Sequence, residues 1–397
     1  MITSRLATVV GALAVSALAL TACTGGGTAA PAPTASRHPV FDQRLDRQLL
    51  HAVRQTQRAR TTAFTQRLTF TSAKGDAVQT MSGRMDFDGR RGQTTVAWRT
   101  PPALAKPTRD ALVGSTAVNG SGAASGSYLV DSRQIHYRAA SAGYWIRYTS
   151  ADTLDGEASD PLEHLRGVEA PIGGTLLESL GSATATGRTD SPTGHEYRAG
   201  LPLTSLPALF PKDLRPHLDV AALSSVHGKP VPLTVSVDGQ GRITRARAEL
   251  TPVLRKDGPL GGFTGLTVEL NLTGPGQSPP TTAPDGPVRT AAGDVAPLRD
   301  VRDGGCVDFA TGQRLAYIVV RVSCAGRHDA RVLAQIPLRA GADAAETQRR
   351  ADIACALARD TVRPGWLPKG APVWAWWTSE GQGGSGKDRV TCYSGTR

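Results

Sequence analysis

Val231, Leu233, Val235 and Val237 alternate with Pro232, Thr234 and Ser236, and the run ends in DGQG at 238–241. Period-two alternation closed by such a turn specifies a half-buried strand entering a hairpin. The pattern repeats along the chain. Leu68 and Phe70 alternate with Arg67, Thr69 and Thr71, and Met85 and Phe87 alternate with Arg84, Asp86 and Asp88 before the turn DGRRG. Val96 and Trp98 continue the pattern. Ile135 and Tyr137 flank His136, Tyr144, Ile146 and Tyr148 flank Trp145 and Arg147, and Leu266, Val268, Leu270 and Leu272 share one face. An antiparallel sheet of this kind must cover its apolar face. Little helix is available to do so. Phe41, Leu45, Leu49, Ala52 and Val53 recur at helical spacing, which predicts an amphipathic helix of about four turns. A second helical pattern, Pro161 to Leu180, carries Leu162, Leu165, Val168, Leu176 and Leu180, and Pro171, Gly173 and Gly174 divide it. The expected fold class is α+β. Residues 41–274 form an antiparallel half-barrel sheet with one or two helices, and 300–397 form a small disulfide-stapled α+β domain. A curved sheet with so little cover leaves room for an apolar cavity. Its candidate lining is Leu68, Phe70, Phe87, Ile135, Tyr137, Ile146, Leu233, Val235 and Val237. Alternation alone does not separate a packed interior from a hollow one.

The five cysteines fall into two groups. Cys23 stands alone after Met1, Arg5 and an apolar run from Leu6 to Leu20. The charge followed by a short apolar run reads as a signal peptide over 1–22, too short for a membrane span of about 20 apolar residues. Leu20-Thr21-Ala22-Cys23 resembles the bacterial lipobox, which implies that Cys23 carries the lipid and becomes the mature N-terminus. Two or more acyl chains, palmitate among them, make a stable anchor. Residues 23–40, small and Pro-rich, read as a flexible tether. The expected address is the cell membrane, on its extracytoplasmic face.

Cys306, Cys324, Cys355 and Cys392 lie in the last hundred residues, and none shows C-x-x-C spacing. In an exported chain they read as two disulfides. Three pairings exist. Cys306–Cys324 and Cys355–Cys392 are preferred, because AYIVVRVSC can return as a hairpin partner to GGCVDF. Asp343 and Glu346 form a capping-box pattern ahead of a helix with a seam of Ala351, Ala354, Cys355 and Ala358. The Pro-rich stretch 275–299 separates the two parts as a linker or, in part, closes the first.

The net charge is +11. The arginines are dispersed, with no dense basic run interleaved with aromatics, so nucleic acid is not an expected partner. A basic surface does suit anionic head groups or wall polymers. The chain contains no G-x-S-x-G, H-E-x-x-H or P-loop. His328 beside Asp329 reads as structural, Trp374, Trp376 and Trp377 as core or edge aromatics, and the scattered histidines offer no metal cluster. No enzyme activity, cofactor or metal is expected.

Two resemblances add to this reading. The order of N-terminal helix, GRMDFDGRRG, SYLV…HYRAASAGYWIRY, helical insert, ATATGRTDSPTGHEYRAGL and PVPLTVSVDGQGRITR resembles the actinobacterial LppX/LprAFG lipoproteins, with a LolA-like half-barrel. That implies an envelope lipoprotein that binds or carries an acylated lipid or glycolipid between sheet and helices. The tail, with GGCVDF, VVRVSCAGRHDARVLAQIPL and RVTCY, resembles the actinobacterial septum-formation domain, which implies a cell-division or envelope protein as partner. Arg331 stands where that family usually has Glu. The alternative function is a non-carrier adaptor or structural lipoprotein acting in division or wall assembly through protein contacts.

Overall fold

The computed structural model describes residues 38–114, 125–149, 153–154, 158–159, 162–211, 214–226, 228–312, 317–338, 343–367, 370–378 and 389–395. The expected signal peptide, Cys23 and nearly all of the expected tether lie outside them. The compact unit begins at His38 and runs to the end of the chain.

The alternating segments become strands: β1 (Thr61–Thr71), β2 (Ala77–Asp86), β3 (Arg91–Arg99), β4 (Ser125–Val130), β5 (Gln134–Ala139) and β6 (Trp145–Thr149). A short ribbon, β7 (Thr153–Leu154) and β8 (Ala158–Ser159), precedes β9 (Thr184–Ser191), β10 (Gly194–Leu201), β11 (Val231–Asp238), β12 (Ile243–Glu249) and β13 (Gly265–Thr273). With β14 (Val288–Thr290), eleven of these form one twelve-stranded sheet in the order 14-6-5-4-3-2-1-13-12-11-10-9. Every pairing is antiparallel except β14 on β6. Register places Phe64, Gln66, Leu68 and Phe70 of β1 opposite Leu272, Leu270, Val268 and Leu266 of β13, all facing inward.

Helix α1 (Leu45–Arg58) buries Leu49, Ala52 and Val53, as its periodicity requires. Helix α2 (Lys106–Val113) was not legible as an apolar repeat; Pro107 in its first turn starts it, and Ala111 and Leu112 anchor it. The pattern over 161–180 does not make a long helix. Residues Glu163–Leu165 form a 3-10 turn and only α3 (Leu177–Leu180) is α-helical. Pro171 and the positive φ of Gly174 (70°) interrupt the run, and Val168 is exposed instead of joining the stripe. A further short helix, α4 (Val220–Leu223), is capped by the Asp219 side chain.

The stretch 275–299 is more than a spacer. Its β14 extends the large sheet, α5 (Ala291–Asp294) turns the chain, and β15 (Val295–Pro297) enters a second sheet. That sheet also holds β16 (Cys306–Asp308), β17 (Ile318–Val322), β18 (Ala330–Pro337), β19 (Val373–Thr378) and β20 (Arg389–Gly395), in the order 15-17-16-18-20-19. Helix α6 (Ala344–Thr361) lies against it, and the Asp343 carboxylate accepts the Glu346 N–H at 2.8 Å. Disulfides join Cys306 to Cys324 and Cys355 to Cys392. The molecule is thus α+β, with a large open antiparallel sheet, few helices and a smaller stapled sheet. No helix among the described residues is long and apolar enough to cross a membrane.

Candidate functional site: the concave face of the large sheet

The inward positions of β1–β6 and β9–β13 form one largely apolar trough, and the chain itself fills it. Leu68, Phe70, Leu233, Val235 and Val237 are buried in a single cluster with Ile172, Leu176, Leu177, Leu206, Phe210 and Phe263 from the connecting segments. The rings of Phe70 and Phe263 meet at 5.4 Å. Ile172 sits so close on the backbone of β3 that a Cβ added at Gly92 would lie 2.1 Å from its Cδ1. Phe87 departs from its expected place. β2 ends at Asp86, the Phe87 N–H donates to the Arg60 carbonyl at 2.7 Å, and its ring packs on the trough's end, half-buried. Asp86 itself is buried. Burial works against its charge, but the Gly89 N–H and the Arg91 guanidinium at 2.7 Å hold its carboxyl below the usual range.

Ile135, Tyr137 and Ile146 lie at the other end, beneath the C-terminal region. Tyr148 donates to the Thr311 carbonyl at 2.5 Å, and a Cβ at Gly312 would come within 2.9 Å of the Tyr137 ring. Val295, Ile318 and Val320 join the same buried cluster. The second sheet therefore forms the end wall of the trough. Burial raises the Tyr137 pKa, so that phenol stays protonated.

The cover over the middle of the trough is irregular. From Leu162 to Leu180 it makes no ladder pairing with the large sheet. Its ties are side-chain bonds. Gln66, 3 % exposed between Phe64 and Leu68 on the inner face of β1, donates to the Gly174 carbonyl at 2.8 Å and accepts the Leu176 N–H at 2.6 Å. One amide thus satisfies two backbone groups of the cover, as a neighbouring strand would. Glu178 accepts the N–H groups of Glu169 and Ala170 at 2.9 and 2.8 Å, and Gln57 donates to the Glu169 carbonyl at 2.7 Å. Gln48 does the same work under α1, accepting from Tyr197 at 2.7 Å and donating to the Gln43 carbonyl at 2.6 Å. Sequence reading missed both glutamines. The signal for Gln66 was a lone amide at an inward position of FTQRLTF.

Where the two sheets meet, a cleft of about 230 Å³ is lined by Tyr144, Arg289, Asp308, Arg327 and Asp329 among others. Tyr144 donates to Asp308 at 2.9 Å, and Arg289 stacks 4.7 Å from its ring. Burial, then the Asp308 charge, raises the Tyr144 pKa and keeps the proton on. The Asp329 carboxylate accepts the Phe309 N–H at 3.0 Å, whereas His328 lies in the preceding turn with Nδ1 2.9 Å from the Gly326 carbonyl. Asp329 thereby ties the start of β18 to the end of β16. Trp376 stacks on Tyr317 at 5.1 Å and Trp374 is exposed. Arg331 fills its place by directing Nε to the Cys306 sulfur at 3.3 Å. No cluster of metal-ligating side chains occurs among the described residues.

No protein-family profile matches this chain, and no curated protein does. Among solved structures, it is similar to the lipoprotein LppX of Mycobacterium tuberculosis, at 13% identity over 57% of this chain and 93% of that one, with a TM-score of 0.27. An uncharacterised conserved protein from Thermus thermophilus gives 8% identity over 60% of this chain and 97% of that one, with a TM-score of 0.26. A putative outer membrane lipoprotein-sorting protein domain from Vibrio parahaemolyticus gives 9% identity over 57% and 90%, with a TM-score of 0.20. Scores of this size do not establish a shared fold.

Proposed function

We propose that the chain is a lipid-anchored envelope protein that binds, and carries, an acylated molecule against the concave face of its large sheet. It makes or breaks no bond. The observation that carries this reading is the mismatch between trough and cover. The trough is a largely apolar surface on a laddered sheet, while its middle is closed by a segment with no ladder bonds to it, held from outside by Gln66, Gln57 and Arg90. Such a segment can lift without breaking a strand pairing. Lifting exposes leucines and isoleucines that an incoming chain must replace. At about 0.8 kcal/mol per buried CH₂, a sixteen-carbon chain supplies on the order of 12 kcal/mol, the same order as the burial of about six leucine or isoleucine side chains.

A second reading has its own observation. The trough is already filled by the chain's own side chains, which suits an adaptor that uses its surfaces for division or wall contacts. Native mass spectrometry of the protein purified from membranes separates the two. A carrier shows a non-covalent lipid adduct that organic extraction removes, and an adaptor shows the covalently modified chain alone.

A further inference from the structure

The solvent face of α1 carries Arg47, His51, Arg54 and Arg58. At 100° per residue these four fall within about 60° of arc, stacked along about 16 Å of helix. The buried residues Gln48, Leu49, Ala52, Val53 and Thr56 occupy the opposite side. Arg44 is paired with Asp46 at 3.3 Å, but Arg47, Arg54 and Arg58 make no ion pair or side-chain hydrogen bond with any described residue. Three unneutralised guanidinium groups in one line lie opposite the face that folding needs. Leaving them out of ion pairs keeps their charge available to something outside the chain.

At the last turn of α1 the loop 166–170 adds an apolar tip. Gln57 holds it through the Glu169 carbonyl at 2.7 Å, and Arg90 holds the Gly167 and Val168 carbonyls at 2.7 and 3.0 Å. Val168 stands 77 % exposed between these ties. Glu169 is an exposed acid beside it, and Asp42 and Asp46 lie at the far end of the helix. The middle and end of the stripe therefore present cations and one aliphatic side chain. That combination matches a phospholipid surface, with head-group phosphates for the arginines and the acyl boundary for the valine. The expected acylation site supplies proximity. About fifteen residues separate Cys23 from His38, a reach of at most about 50 Å when extended.

We propose that the Arg47–Arg54–Arg58 face of α1, with the Val168 tip, rests on an anionic phospholipid surface and orients the protein on its membrane. This does not depend on the trough binding a lipid. The test uses the compact unit His38–Arg397, which contains the whole described core, with vesicles of phosphatidylcholine alone or with about one-third phosphatidylglycerol. Each basic residue at a charged surface contributes on the order of 1 kcal/mol, about fivefold. Expected are partitioning that requires phosphatidylglycerol, a steep loss with added salt, and about a hundredfold loss in the triple variant Arg47→Gln, Arg54→Gln, Arg58→Gln. The comparison variant Arg84→Gln, Arg245→Gln, Arg247→Gln removes the same charge from the outer sheet face and should lose far less. Because the α1 arginines make no ion pair or side-chain hydrogen bond with any described residue, the melting temperature should not move, which separates lost binding from lost folding. Equal losses in the two triple variants would reduce the effect to net charge and overturn the proposal. So would equal binding to both vesicle types, or salt-sensitive binding to an anionic polymer but not to vesicles.

Discussion

The two sheets solve the same problem at different scales. The large sheet buries Phe70, Tyr148, Leu266 and dozens of other side chains in one continuous cluster and contains no cysteine. The small sheet divides its interior into two minor clusters, one around Val307, Val319 and Val332 and one around Leu333, Ala351 and Val390. It carries a disulfide in each half. Cys355 and Cys392 sit inside the second cluster, and Cys306 pins the edge of the first to the turn after β17. The surface that a fold removes from water rises faster than its size. Below a certain core, covalent cross-links take over part of the stabilisation. On the proposed function, a large uncross-linked trough is the part that yields locally, whereas the stapled end wall stays in place.

The largest expected effect breaks the staples. Replacing Cys355 and Cys392 by Ala removes a cross-link spanning 37 residues, worth about 4 kcal/mol by chain entropy, and the Cys306–Cys324 pair, spanning 18, about 3 kcal/mol. Limited proteolysis should then cut within 300–395 while 61–273 stays protected. If both sheets are lost together, the shared residues Val295, Ile318 and Val320 bind them into one cooperative unit and the contrast fails.

Next in size is Gln66→Leu. It keeps the volume but orphans the Gly174 carbonyl and the Leu176 N–H, at about 2 kcal/mol. Hydrogen exchange should quicken in 172–177 and not in β1 or β13. Uniform acceleration would mean that cover and sheet open only as one.

The smallest effect is a pH dependence at His136, buried on β5. Burial holds its pKa below the usual 6.5, with Asp131 opposing and Arg147 adding to the shift. Below pH 6.5 the unfolded chain takes up this proton before the folded one does. The contribution is therefore intact above that pH and is lost as pH falls through the lower folded value. Urea midpoints across pH 5–7.5 should fall on the acid side, and less so in His136→Gln.

Most of the strands were legible because most inward residues on a two-sided sheet are apolar, as Leu68, Val235 and Val268 are. The hairpin at DGQG was legible because few backbones fit so short a connection; Gly241 has φ 73°. The cover was not. Leucines at 162, 165, 176 and 180 have helical spacing, but Pro171 and Gly174 let each find its own hole in the trough. No periodic pattern survives that. Gln48 and Gln66 look like surface residues in the sequence, since the Tyr197 hydroxyl that Gln48 meets and the backbone groups of 174 and 176 that Gln66 meets lie more than a hundred residues away. Phe87 fitted the alternation by one residue too many, as the buried Asp86, paired with the partly exposed Arg91, had already ended the strand.

The central claim is that acyl chains can occupy the trough beneath the 162–180 cover. Photo-cross-linking with a diazirine-bearing fatty-acyl probe, mapped by peptide mass spectrometry, tests it directly. The account predicts label on inward residues of the sheet such as Phe70 and Val235 and on Ile172 or Leu176 of the cover, displaced by unlabelled lipid. Label confined to outward-facing positions, or not displaced, would contradict it.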